Sequence, residues 1–205
     1  MTSPQPARLS WIEADASHAE AIAALHNQHV LDRALCPPPM AEPAISPMGF
    51  LLAPTTSAEI QAQQAQGTRF VVAWHPEDGV VGFVSLAQPR ITQDFLDQLT
   101  WSDRACQARI LSPQHVYIKT LATDPRYAGQ GVGRLLYGAI AQLYPTAVFS
   151  AFIVISPVCN LRSRIFHEKQ GFRPVGQFQQ ARFLDLDHYI SLLMLKDAPS
   201  TSPEL

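Results

Sequence analysis

The stretch from His115 to Leu143 constrains this chain more than any other. It reads as a β-rich run, His115 to Ala122, followed by the loop Arg126-Tyr-Ala-Gly-Gln-Gly-Val-Gly-Arg134. Val132, Leu135, Leu136, Ala139, Ile140 and Leu143 then recur at the spacing of one helical face. Pro145 marks the stop. A glycine loop between strand and helix can turn several backbone N–H groups toward one anion, and the helix dipole adds to their field. Gly129, Gly131 and Gly133 permit unusual dihedrals and close approach, and Arg134 can add a charged hydrogen bond to a phosphate. The plainer reading is a glycine-rich turn that only connects strand to helix. A Rossmann site would need an acidic residue about twenty positions on, at the end of the next strand; Val148 to Ile155 holds no Asp or Glu. A Walker loop would end Gly-Lys-Ser/Thr, and this one ends Gly-Arg-Leu.

Around that unit the chain reads as one domain, residues 8–197, with frayed tails at 1–7 and 198–205 that are too rich in Pro, Ser and Thr to bury much apolar surface. A strand-like Leu9 to Ile12 leads into a helix with Ile22, Leu25, His26 and His29 on one face. Cys36 to Pro54 carries six prolines and is expected to be a long surface loop. Thr56-x-x-Glu59 resembles a capping box for a short helix that Gly67 closes in a left-handed conformation. Arg69 to Trp74 and Val80 to Leu86 read as a hairpin, whereas residues 88–112 show no clear element. Val148 to Ile155 has the continuous apolar character of a buried strand. Asn160 is placed to cap a helix that Gly171 ends, and Val175 to Phe178 and Tyr189 to Leu195 complete the strands. The sum is an α/β (α+β) fold: a mixed, mostly antiparallel sheet flanked by helices, with one strand-helix-strand crossover.

The formal charge of −2 gives no electrostatic case for nucleic acid or an anionic membrane as partner. No run reaches transmembrane length, and the N-terminus lacks the basic and apolar segments of a secretory signal. Cys36, Cys106 and Cys159 are odd in number and far apart, which argues against a disulfide framework or a cysteine zinc site. These features imply a reducing, cytoplasmic setting and a small-molecule or peptide partner. A homodimer is compatible with them.

Leu121-Ala-Thr-Asp-Pro-Arg-Tyr-Ala-Gly-Gln-Gly-Val-Gly-Arg-Leu-Leu136 resembles the acetyl-CoA signature of the GNAT (GCN5-related N-acetyltransferase) superfamily. Asn160-Leu-Arg-Ser-Arg-Ile-Phe-His-Glu-Lys-Gln-Gly-Phe172 resembles the family's later helix, which begins at an asparagine and ends at a Gly-Phe pair. The likeness is firm over residues 115–178, and the Asn-x-x-Ser-x-x-Phe-His pattern is similar to that of a bacterial acetyltransferase subfamily. The resemblance implies acetyl-CoA as co-substrate, held where two strands of the sheet splay apart. It implies that the main chain of Leu121, Ala122 and Thr123 pairs with the pantetheine arm. Gly129, Gln130, Gly131, Val132, Gly133 and Arg134 would bind the pyrophosphate, and Asn160, Ser163 and Phe166 would line the cofactor's far side. Ala128 departs from the pattern, which usually has Arg or Gln there, so one side-chain contact is lost while the backbone donors remain.

Acyl transfer from a thioester to an amine needs a neutral amine, stabilisation of the oxyanion and a proton for the departing thiolate. A backbone N–H near Leu121 would face the acetyl oxygen, as in the family. The carboxylate that the family often carries on the strand before the loop is missing from His115-Val-Tyr-Ile-Lys-Thr120. His115, Tyr117 and Lys119 alternate onto one face instead, either as titratable groups near substrate or as an ordinary strand face. Where the family commonly has an acidic tyrosine, this chain has His167, which can donate or accept a proton near neutral pH. His167 and Tyr117 are the catalytic candidates, His167 against a helix-surface histidine. Cys159 before a helix N-terminus could be an acyl carrier, but reads more simply as a structural thiol. His26 and His29 lack a third ligand, so no metal is expected. The implied activity is acetyl transfer to a primary amine of a small molecule or peptide, with the acceptor between the first helix, the proline-rich loop and the closing strands. A non-catalytic acetyl-CoA-binding module is the other reading.

Overall fold

The structure, a computed structural model, describes residues 9–38 and 41–198. The expected tails lie outside the described residues, except for Ala198. In chain order the elements are β1 (Ser10–Glu13), α1 (Ala19–Asn27), β2 (Ala44–Ser46), α2 (Ser57–Ala65), β3 (Arg69–His75), β4 (Gly79–Ala87), α3 (Gln93–Asp97) and β5 (Leu99–Trp101). They continue with α4 (Gln107–Ile110), β6 (His115–Thr123), α5 (Val132–Leu143), β7 (Val148–Ser156), β8 (Val158–Asn160), α6 (Leu161–Lys169), β9 (Arg173–Phe183) and β10 (Leu186–Lys196). Eight strands form one sheet in the order β1-β3-β4-β6-β7-β10-β9-β5, and β2 and β8 form a second, two-stranded one. The fold is mixed α/β, with a large, mostly antiparallel sheet and flanking helices.

The described residues fall into two compact units built from interleaved segments. The first runs up to His29, from Pro54 to Leu86 and from Thr120 to Tyr144. In it β3 and β4 form the expected hairpin, from Arg69 opposite Leu86 to His75 opposite Gly79, and β1 pairs antiparallel with β3. Val71, Val72, Val81, Phe83 and Val84 of the hairpin are buried, as are Val132, Leu136, Ala139 and Ile140 on one face of α5. Each large side chain buried in this way contributes about 1.5–3 kcal/mol of transfer free energy. α2 starts as the sequence implies: Thr56 Oγ1 accepts from Glu59 N at 3.2 Å, and the Glu59 carboxylate accepts from Thr56 N at 2.8 Å. Gly67, at φ +92°, turns the chain out of it. α1 differs from expectation. It ends at Asn27 with Gln28 as its cap, so His26 lies on the helix and His29 lies in the turn beyond it. The carbonyls of a last turn are readily shared by a tightening bend, here His29 N to His26 O at 3.0 Å.

The second unit takes Val30–Ala53, Ala87–Lys119 and the described chain from Pro145 onward. β6 pairs parallel with β7, His115 opposite Val148 and Tyr117 opposite Ser150, so the strand-helix-strand crossover is present. β7 pairs antiparallel with β10, β10 with β9 and β9 with β5. The proline-rich segment is not wholly loop. Ala44 to Ser46 runs parallel to Val158 to Asn160, and Ser46 and Phe50 are buried. Residues 88–112, without a clear element in sequence, hold α3, β5 and α4, and Leu96, Leu99, Cys106 and Ile110 pack there against Val175, Leu193 and Leu195.

Candidate active site

In the first unit, β6 delivers the chain to the glycine loop. Ala122 is buried, and Leu121 and Thr123 are half-buried. The Thr123 carbonyl lies 3.0 Å from His29 Nε2, and Asp124 N–H donates to Val81 O at 2.9 Å. Asp124 caps the 3-10 turn Pro125–Tyr127 by accepting from Arg126 N at 2.9 Å. Its carboxylate also holds the Arg126 guanidinium, with Nη2 at 2.7 Å, and that hydrogen bonding keeps the Asp124 carboxyl below the usual carboxylate range. Tyr127 Oη donates to Asp78, and Arg126 Nη1 stands 3.7 Å from the same carboxylate, which ties the turn of the β3–β4 hairpin to the loop.

Beyond this brace the loop is open to solvent from Ala128 to Gly131. Gly129 and Gly131 take φ of +78° and +82°, and a Cβ added at either would meet nothing within 4 Å. Glycine is therefore needed there for its backbone conformation and not to make room inside the protein. Gly131 opens α5 as a left-handed N-cap with no side chain capping the helix. The first N–H groups of a helix have no intrahelical acceptor, and here they belong to Val132, Gly133 and Arg134. Arg134 is exposed, and among the described residues no ion pair engages it. Gln130 is different: its N–H donates to Tyr127 O at 3.1 Å and its Nε2 to Arg126 O at 3.1 Å. It stiffens the loop from within.

In the second unit, Asn160 caps α6 as expected, its Oδ1 accepting from Ser163 N at 3.2 Å. Its Nδ2 also donates to Phe50 O at 2.9 Å, so one buried side chain joins the helix start to the proline-rich segment. Phe166 is half-buried and presents a ring 5.8 Å from that of His167. His167 itself is 3% exposed, which corrects its reading as a helix-surface histidine. Its Nδ1 lies 2.8 Å from Ser163 O, the geometry of a donated N–H, and its ring stands 5.2 Å from Phe172. Burial pushes its pKa down, so at neutral pH the imidazole carries no extra proton for a leaving group.

The residues His115, Tyr117 and Lys119 grade from buried to exposed along one face of β6. His115 Nε2 meets Ser150 Oγ at 2.7 Å on the neighbouring strand, and desolvation holds its pKa down to about 4. Tyr117 sits against Phe152, ring centroids 6.1 Å apart, and burial pushes its phenol up to about 12. Cys159 is half-buried in β8, and all three cysteines are free thiols. Among the described residues no three His, Cys, Asp or Glu side chains gather as metal ligands. His26 stacks on Phe83, 6.2 Å between centroids.

The structure therefore assembles Leu121 to Arg134 in one unit, and Tyr117, Asn160, Ser163, Phe166 and His167 in the other. The sequence gives no sign of His29 on Thr123, or of Asp78 on Arg126 and Tyr127. Both join residues far apart in the chain, and no local pattern marks them.

A family model for the acetyltransferase (GNAT) family matches residues 41–172. The chain belongs to that family and is an N-acetyltransferase with acetyl-CoA as co-substrate. Solved structures agree on the fold. The yncA protein of Salmonella typhimurium, solved with its cofactor acetyl-CoA, matches with a TM-score of 0.59 at 18% identity, over 95% of this chain and 96% of its own. The ribosomal-protein-S18-alanine N-acetyltransferase of Escherichia coli matches at 0.61 and 11%, over 97% and 99%. The phosphinothricin acetyltransferase of Sinorhizobium meliloti, in complex with AcCoA, matches at 0.59 and 14%, over 95% and 90%. No curated protein matches the sequence. No helix among the described residues is long and apolar enough to cross a membrane.

Proposed function

We propose that the chain, as one domain over residues 8–197, transfers the acetyl group of acetyl-CoA to a primary amine of a small molecule or peptide. The neutral amine attacks the thioester carbonyl within a ternary complex. The C–N bond forms, the C–S bond breaks, the ammonium gives up a proton, and CoA leaves as the thiol or thiolate. The loop carries this reading: two left-handed glycines stand open to solvent at the exit of β6, and the first amides of α5, which no side chain caps, follow directly on them. That is a built anion site of the kind a pyrophosphate requires. The N–H groups of Gly129, Gly131, Val132, Gly133 and Arg134 are its donors, the Arg134 side chain adds charge, and Gln130 shapes the loop. Leu121, Ala122 and Thr123 offer main chain to the pantetheine arm, and Asn160, Ser163 and Phe166 serve the cofactor from α6.

Tyr117 is assigned to proton delivery. Burial pushes its phenol up to about 12, so it carries its proton at neutral pH and cannot act as base for the amine; the same shift makes it a weak acid, one that gives its proton up only as the C–S bond breaks and charge builds on sulfur. His167 stays a catalytic candidate as the base, because burial favours its neutral imidazole, the form that can accept a proton. A reducing, cytoplasmic setting is part of the proposal, supported by three free thiols.

The test is release of CoA thiol from acetyl-CoA in the presence of a panel of primary amines. The names of the structural neighbours cover both acceptor classes, so the panel includes phosphinothricin and peptides with N-terminal alanine. Saturable thiol release that depends on one amine is expected. Saturable acetyl-CoA binding with no release across the panel would contradict transfer and favour a module that only holds the cofactor.

A further inference from the structure

We infer that His29 is a positioning residue for the acetyl-CoA loop, acting through the Thr123 carbonyl. The inference rests on the cofactor reading of the loop. His29 Nε2 lies 3.0 Å from Thr123 O, across 94 positions of sequence. The carbonyl can only accept, so the imidazole donates there from an Nε2–H. Thr123 C=O and Asp124 N–H belong to one peptide unit, and the N–H end is held by Val81 O at 2.9 Å. With both ends engaged, this peptide plane at the end of β6 has its rotation fixed. The next residue, Asp124, must aim its carboxylate at Arg126 N and the Arg126 guanidinium to form the turn that leads to Gly129. The orientation of the Thr123–Asp124 peptide thus sets where the loop begins.

The segment that presents His29 is itself anchored. Asn27, the last residue of α1, exchanges two hydrogen bonds with Thr55: Nδ2 donates to Thr55 O at 2.8 Å, and Oδ1 accepts from Thr55 N at 2.9 Å. His29 N–H closes the turn onto His26 O. The imidazole is half-buried and reaches from a fixed support to a fixed carbonyl. This accounts for a histidine beyond the end of α1 without a metal.

The test compares acetyl-CoA dissociation constants, measured by calorimetric titration, for the parent protein and three variants, each checked for folding by its melting temperature. A glutamine amide nitrogen can stand near the position of Nε2, whereas the shorter asparagine places its amide near Nδ1, out of reach of Thr123. His29→Ala and His29→Asn are expected to weaken binding about three- to tenfold, the worth of one net hydrogen bond, and His29→Gln to stay within about twofold of the parent. A residue that only holds the fold together would lower the melting temperature and leave affinity unchanged below it. Should the alanine variant not fold, the Gln and Asn pair carries the comparison. Equal affinities for those two, or an unchanged affinity in folded His29→Ala, would overturn the inference. A parent protein that binds no acetyl-CoA would overturn the cofactor reading first and this inference with it, a result distinct from either.

Discussion

Gly129 and Gly131 show what the glycine loop demands of single residues. A side chain at either position would have open space around its Cβ, yet a non-glycine residue pays about 1–2 kcal/mol for a left-handed backbone. His115 shows the opposite demand, for a buried neutral group. Its pKa of about 4 in the fold lies below the unbound value of about 6.5. The unfolded chain then binds more protons between those values, so stability is fully present above pH 6.5 and is lost as pH falls through 4. The loss amounts to about 3 kcal/mol. Urea midpoints measured from pH 7 to pH 4 should fall more steeply for the parent than for His115→Gln, which cannot titrate. Parallel slopes would show that His115 does not carry this proton uptake. At this scale the glycines were legible, because a repeated Gly-x-Gly between strand and helix is a local pattern. The burial of His167 was not. α6 is polar along Arg162, Arg164, Glu168 and Lys169, and nothing in that pattern marks the one histidine that turns inward toward Phe172.

At the scale of elements, β4 and α5 depend on each other at one position. A Cβ on Gly82 would come 2.5 Å from Val132 Cγ1, so the Val132 side chain or the elements carrying the two residues must shift, and 3.3 Å from Ala122 O, a tight contact. Val132 is the first residue of α5, so the displacement would fall at the proposed anion site. Gly82→Ala is expected to cost about 1–3 kcal/mol of stability, read as a lower denaturation midpoint, together with weaker acetyl-CoA binding. A variant with parental midpoint and affinity would mean that the helix does not need this close approach. The elements carried by strong periodicity, α5, β7 and the β3–β4 hairpin, were legible within a residue or two. β2 was not, since three residues among prolines have no pattern of their own and become a strand only beside Val158 to Asn160. α1 was read too long because His29 keeps helical spacing after the helix has ended.

For the molecule as a whole, the order of strands and helices placed a crossover inside a mostly antiparallel sheet, and the fold agrees. What sequence could not supply was the bracing of the loop, which comes from His29 and from the β3–β4 turn. Those contacts depend on how distant segments meet. Nor could it show that the proline-rich segment and α6 are joined through Asn160 and Phe50. The proposed function turns on the loop between Arg126 and Arg134 holding the cofactor. The most direct measurement is a calorimetric titration of acetyl-CoA into the parent protein and into Gly131→Val, with melting temperatures recorded for both. Saturable one-to-one binding by the parent, weakened at least about tenfold in a variant that stays folded, is the predicted result. Equal affinity in the two proteins, or no binding by the parent, would contradict it.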